Sequence, residues 1–254
     1  MKKLKLSIIT PSFNCGKYIE QAILSVLKQD YKNFEYIVID GGSTDNTLKI
    51  LKKYSKKYPK KFRYISEPDK GQTDAINKGL RMSTGDWFIW LNADDYYEPN
   101  VFSKLANYLR LNNKRGVVYG NCFTVEGNKK ILSIPPKKVN FYSQKNGCII
   151  YGPTSFFNMK KLKQVGEFDE KLYLWMDYEM YIRLSKISPF KYIDLDIANF
   201  RLRPDQKSRS QGNKSLLEEE RNRIIRKYYP IYFFIFILKN ILTKWREKIK
   251  NWFQ

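Results

Sequence analysis

The sequence predicts an α/β protein built on a mostly parallel, doubly wound sheet. Two observations carry this expectation. Short apolar runs suited to buried strands alternate with segments whose apolar residues recur at helical spacing. The runs lead into polar turns that hold Asp, Asn, Gly and Ser. At 254 residues the chain is long enough to bury a sizeable core as one domain, built from two halves and a tail.

The elements follow in order. Leu6 to Ile9 is the first strand, and Thr10-Pro11-Ser12-Phe13-Asn14 the turn after it. From Lys17 to Gln29 the residues Ile19, Ile23, Leu24, Val26 and Leu27 mark one face of a helix. "FEYIVIDGGSTDNT" holds a strand from Phe34 to Ile39, then Asp40 and Gly41-Gly42. Ser43 or Thr44 is the expected N-cap of a helix through about Lys57. Phe62 to Ile65 is a third strand, "DAINKGLRMS" a short helix, and residues 87–91 a fourth strand. Ligands of such sheets bind outside the C-terminal strand ends, so Pro11 to Asn14, Asp40 to Ser43, Glu67 to Asp74 and Asn92 to Asp95 are expected along one edge. The second half is less regular: "NVFSKLANYLRL" reads as helix, "GVVYGNCFTV" and "KKILSI" as a hairpin-like pair. "GPTSFFN" holds a short strand, and a helix runs from about Asp177 to Lys186.

Composition bounds the chemistry. The formal charge of +22, from 47 basic and 25 acidic residues, calls for a polyanionic neighbour: nucleic acid, an anionic membrane face or a phosphorylated substrate. Cys15, Cys122 and Cys148 are odd in number and form no CxxC pair, which points away from a disulfide framework or zinc site and toward a reducing cytoplasm. The apolar stretch near the start is broken by Ser7, Thr10, Pro11 and Asn14 before a signal-peptide core is complete. No apolar run reaches the roughly 18 residues of a membrane span.

Three carboxylate positions stand out. In "WFIWLNADDYYEPN", Asp94 and Asp95 follow a strand directly, and neighbours on an extended chain point in opposite directions, so one can face a ribose and the other a metal. Taken alone, the pair reads more readily as an acidic turn. Asp40 at a strand end is either an Asx turn preparing Gly41 or an acceptor for a base or ribose. The Gly-Gly after it is not GxGxxG, so a nicotinamide enzyme is not expected. Asp177 stands where a helix begins, either as its N-cap or as a general base.

"LSIITPSFN", "YIVIDGGSTDNT", "DAINKGL", "GDWFIWLNADD", "GPTSFFN" and "GEFDEKLYLWMDYEMYIRL" together resemble the family two glycosyltransferases of GT-A (Rossmann-like) fold, over roughly residues 4–205. The resemblance implies a nucleotide-sugar-binding half over residues 1–100, an acceptor-binding half of the same catalytic domain over 101–205, and a basic tail over 206–254. It implies an inverting enzyme that moves a sugar from a nucleotide donor, expected to be a UDP-sugar, to a glycan or lipid-linked acceptor of bacterial surface polysaccharide. Pro11 and Phe13 would line the nucleotide cleft, with Asp40 on the base and Asp74 near the phosphates or donor sugar. Asp94 would face the ribose, Asp95 would ligate Mg²⁺ or Mn²⁺, and Asp177 would be the catalytic base. Many relatives carry a histidine in a segment like "NFRLRPDQKSRS"; this chain has no histidine, and Arg201, Arg203 or Lys207 would meet the diphosphate instead.

The tail, "YYPIYFFIFILKNILTKWREKIKNWF", opens apolar and then turns amphipathic. Leu238, Ile241, Leu242, Trp245, Ile249, Trp252 and Phe253 share one face with lysines largely elsewhere, the pattern of a helix lying in an anionic membrane surface. A cytoplasmic protein peripheral to the inner membrane face is therefore expected, packing of the tail on the protein being the alternative. Two other functions are weaker. A sugar nucleotidyltransferase normally has a glycine-rich basic loop after its first strand, whereas "TPSFNCGKY" has one glycine. A nucleic-acid-binding protein would need a recognised motif and no acidic edge.

Overall fold

The computed structural model describes residues 3–207, 209 and 211–235. Its first part is a run of strands and helices: β1 (Leu6–Ser12), α1 (Ile19–Leu27), β2 (Phe34–Asp40), α2 (Thr47–Lys57), β3 (Phe62–Ser66), α3 (Gln72–Met82) and β4 (Trp87–Trp90). Then come β5 (Tyr96–Tyr97), α4 (Phe102–Leu111), the hairpin β6 (Val117–Glu126) and β7 (Lys129–Ser133), β8 (Ser155–Asn158) and α5 (Met159–Val165). The chain continues through α6 (Met176–Ile187), β9 (Lys191–Arg201) and α7 (Lys214–Tyr228).

All nine strands form one sheet in the order β3-β2-β1-β4-β8-β6-β9-β5, with β7 on β6. The first four are parallel, as helical crossovers require. Beyond β4 the sheet is mixed: β8 runs antiparallel to β4 and β6, while β9 is parallel to β6. Strand alternation supplies a core on each face. Leu6, Ile8, Phe34, Tyr36 and Val38 pack beneath α1, α2 and α4. Ile9, Ile37, Ile39, Phe88 and Trp90 pack with α3, α5, α6 and α7. Trp90 stacks on Phe157 at 5.2 Å and meets Phe168 edge-on at 5.3 Å, each ring contributing about 2–3 kcal/mol by burial.

The strand order reverses between β1 and β4, the position at which such sheets open a crevice. Pro11 marks the opening. Ile9 turns its backbone toward β4, where its carbonyl accepts the Leu91 N–H at 2.8 Å, and the β1–β4 register ends at Ile9–Trp90. Pro11 points the same way two residues later, where no ladder partner asks for the N–H it lacks. It is thus the penultimate residue of β1, two places beyond the expected strand end.

One boundary needs correction. Asn46, not Ser43 or Thr44, stands at the N-cap position of α2, and the Thr47 N–H is met by Asp45 at 2.9 Å. Ser43 is already committed to the preceding turn, donating its N–H and hydroxyl to the Asp40 carboxylate at 2.9 and 2.5 Å.

Candidate active site

A cleft of about 610 Å³ opens at the β1–β4 switch point. One wall is Pro11, Ser12 and Phe13 at the end of β1, with Gly41 after β2 and Asp69, Gly71 and Gln72 where α3 begins. Phe13 is 61% exposed, an aromatic face left to the cleft rim. The Ser12 hydroxyl is buried without a hydrogen-bond partner among the described residues, so a ligand could satisfy it. The floor is Trp90 and Asn92 to Asp94, and the far wall Gly152, Pro153, Tyr173, Leu174, Met176 and Asp177. Phe200, Arg203, Gln206 and Lys207 close the fourth side.

The adjacent aspartates divide as an extended chain dictates. Asp94 lines the cleft and pairs with Arg203, Oδ2 to Nε at 2.9 Å. Asp95 does not line it: the residue is 1% exposed, and its oxygens accept from Asn92 Nδ2 at 3.0 Å and from the Arg201 N–H at 2.9 Å. Burial and then the Asp94 charge push the Asp95 carboxyl well above the ordinary range. The expected assignment of the metal to Asp95 therefore meets a geometry in which Asp94 is the accessible partner and Asp95 ties β9 to the turn after β4. Arg201 is likewise fastened, with Nε on the Asp94 carbonyl at 2.9 Å and a terminal nitrogen on Gln21 at 2.6 Å; Arg203 and Lys207 line the cleft and Arg201 does not.

Two further carboxylates stand one layer back. Asp40 is fully buried behind Gly41 and accepts from the Gly42 and Ser43 N–H groups and the Ser43 and Ser66 hydroxyls. These donors hold the turn as an Asx turn does, and Asp40 is not among the residues that line the cleft. Asp74 accepts the Lys70 N–H at 3.0 Å and approaches Lys78 at 3.5 Å, shaping the loop rather than reaching the cleft. Asp69, which the sequence pattern did not single out, is the half-buried carboxylate that lines the cleft there; burial raises its pKa despite the Gly71 N–H it accepts.

Asp177 lies in the first turn of α6 on the cleft wall. Burial raises its pKa to about 6, opposed by the Tyr178 N–H it accepts at 2.7 Å. Burial pulls the Lys207 ammonium below its ordinary range, with the Asp69 charge opposing. Among the described residues no three His, Cys, Asp or Glu side chains form a metal-binding group. A cation at Asp94 would take one protein carboxylate and draw its remaining ligands from a bound diphosphate and water, a donor set that magnesium-type ions accept.

Fold and cleft together define a mixed α/β protein of the GT-A type, with the half-buried Asp177 on one wall of its cleft and the paired charges of Asp94 and Arg203 also lining it. The Glycosyl transferase family 2 profile matches residues 7–166, and the chain belongs to that family. It is 29% identical to an uncharacterized glycosyltransferase of Rickettsia conorii over 82% of this chain and 36% of the relative. With the chondroitin synthase of Escherichia coli it shares 29% identity over 76% of this chain and 28% of that one. The chain thus spans about a third of these relatives' length. Among solved structures, Staphylococcus aureus TarS 1-349 with UDP-GlcNAc superposes with a TM-score of 0.70 at 21% identity, covering 89% of this chain and 68% of TarS. The Pyrobaculum calidifontis mannosyltransferase PcManGT, with GDP-Man and Mn²⁺, gives 0.57 at 20% identity, covering 77% and 55%.

Proposed function

We propose that the protein is an inverting glycosyltransferase that moves a sugar from a nucleotide donor, a UDP-sugar by preference, to a glycan or lipid-linked acceptor in polysaccharide synthesis. The observation that carries this is the meeting in one cleft of the raised carboxylate Asp177 with the Asp94–Arg203 pair and the aromatic rim at Phe13. The structures of TarS in complex with UDP-GlcNAc and of PcManGT in complex with GDP-Man support a nucleotide-sugar donor.

In this reading the base stacks on Phe13 beside Pro11, and the diphosphate lies toward Asp94, Arg203 and Lys207. Asp177 accepts the proton of the acceptor hydroxyl as that oxygen bonds to the anomeric carbon from the face opposite the diphosphate. The bond to the diphosphate breaks with its electron pair, and configuration inverts. A carboxyl of pKa about 6 is ionised at neutral pH yet basic enough for this role. Arg203 and Lys207 meet the charge that develops on the leaving group. A divalent cation held by Asp94 would supply further charge neutralisation there. Asp95 is assigned to positioning, because its carboxylate fixes the Arg201 backbone and thereby the segment that carries Arg203.

The start of the tail divides. Tyr229, Tyr232 and Phe233 join the core against α6, whereas Ile231, Phe234 and Ile235 are exposed. The amphipathic segment from Leu238 onward lies outside the described residues. Among the described residues no helix is long and apolar enough to cross a membrane. Attachment of the tail to an anionic membrane surface, on the cytoplasmic face, is part of the proposal.

The test is a screen of UDP- and GDP-sugars, with and without Mn²⁺, for turnover by the wild type, Asp94→Ala and Asp177→Asn. Turnover of one donor that both variants lose is the expected result. Full activity in either variant would remove its assignment.

A further inference from the structure

α7 lies beyond the stretch that the family profile matches, and it carries a buried carboxylate that needs a reason. Glu220 is 5% exposed, and its two oxygens accept three consecutive backbone N–H groups: Tyr173 at 2.5 Å, Leu174 at 2.9 Å and Trp175 at 3.3 Å. One turn earlier, the Leu217 carbonyl accepts the Trp175 indole N–H at 2.8 Å. These residues lead directly into the cleft: Tyr173 and Leu174 line it, Trp175 is the N-cap residue of α6, and Asp177 follows in the first turn. A buried carboxylate is tolerated only where donors replace its water, and consecutive amides aimed at one anion form such a nest. The nest also fixes the backbone of the residues that supply it. Farther along, the Tyr228 hydroxyl donates to Glu179, itself held by Arg183 at 2.7 Å, so α7 grips α6 again two residues beyond Asp177.

We propose that Glu220 is a positioning residue for the transfer reaction, holding the 173–175 loop so that Asp177 faces the acceptor. The inference rests on the assignment of Asp177 as base. Glu220 accepts from the 173–175 backbone, and its one link toward the donor end is the Tyr173 ring, which the Lys207 ammonium meets at 4.1 Å, so its loss acts far more on the chemical step than on nucleotide binding.

The experiment compares Glu220→Ala, Glu220→Gln and Trp175→Phe with the wild type, at a temperature where all remain folded by circular dichroism. UDP affinity is read by calorimetry, kcat with whichever of UDP-GlcNAc and GDP-mannose the wild type consumes, and backbone exchange by mass spectrometry. For Glu220→Ala the expected result is a UDP affinity within about threefold of the wild type, kcat lower by about 10²-fold, the scale of a misplaced catalytic group, and fast exchange at residues 173–175. Glu220→Gln keeps one acceptor oxygen and should recover part of the loss. Trp175→Phe removes only the indole tether and should shift kcat in the same direction. Wild-type kcat in Glu220→Ala, or equal losses of kcat and UDP affinity, would overturn the proposal. Should the wild type consume neither donor, the functional reading fails separately; unaltered exchange at 173–175 in Glu220→Ala would then still refute the tether.

Discussion

Replacing Asp177 with asparagine should stabilise the protein while abolishing its chemistry. Burial lifts Asp177 from 3.8 to about 6. At about 1.4 kcal/mol per pKa unit, the ionised side chain destabilises the folded state by at most about 3 kcal/mol. The native state holds this proton more tightly than the unfolded chain does, so stability falls as pH rises through the window from about 4 to about 6. Asparagine stays neutral throughout. Urea unfolding should therefore show Asp177→Asn gaining up to about 3 kcal/mol near pH 7.5 and almost nothing near pH 4, while turnover falls by about 10²–10⁴. Wild-type kcat/KM should also lose activity on the acid side with a midpoint near 6. A variant destabilised equally at both pH values, or one that keeps its turnover, would refute the reasoning.

Further outcomes follow from other parts of the cleft. Phe13→Ala should weaken UDP binding by about 1–3 kcal/mol in a calorimetric titration and leave the melting temperature unchanged, because this exposed ring contributes stacking rather than packing. Arg203→Ala should reduce UDP affinity more than uridine affinity, since the diphosphate is its partner. Gly79→Ala should destabilise α3 on the sheet by about 1–3 kcal/mol in thermal unfolding, because an added Cβ would lie 2.4 Å from Ile9 Cγ2. A chain ending at Ile235 should leave the membrane fraction for the supernatant on cell lysis, and unchanged partitioning would count against the tail as an anchor.

The first four strands were legible because each is an apolar run with a helix between it and the next, a pattern whose register the two core faces then enforce. The hairpin β6–β7 and the helix carrying Asp177 were legible for similar reasons. β9 was not singled out although Ile193, Leu195 and Ile197 alternate with polar neighbours, because Asp194 and Asp196 give the stretch a loop-like composition. α7 was passed over for a related reason: one of its buried positions is Glu220, stabilised by amides that no local pattern announces.

The cleft was legible in outline, and which of its carboxylates reach the lining was not. Asp94, Asp177, Pro11, Phe13, Arg203 and Lys207 do line one cleft. Asp40, Asp74, Asp95 and Arg201 stand behind it: the three carboxylates accept from donors of their own loop or of a strand far off in sequence, and the Arg201 guanidinium donates to the Asp94 carbonyl and Gln21. Sequence spacing can show that a carboxylate stands at a strand end. Which of two adjacent carboxylates turns outward depends on the donors that wait behind the strand, and the Arg201 N–H comes from more than a hundred positions away.

Every role proposed for the cleft depends on its binding a nucleoside diphosphate through Asp94 and its neighbours. Thermal unfolding of the wild type and Asp94→Ala with UDP or GDP, each with and without Mn²⁺, tests it most directly. One nucleotide should stabilise the wild type, by about 2.7 kcal/mol at a hundredfold excess over Kd, and Asp94→Ala should lose most of the Mn²⁺-dependent part. A wild type that neither nucleotide stabilises under any of these conditions would contradict it.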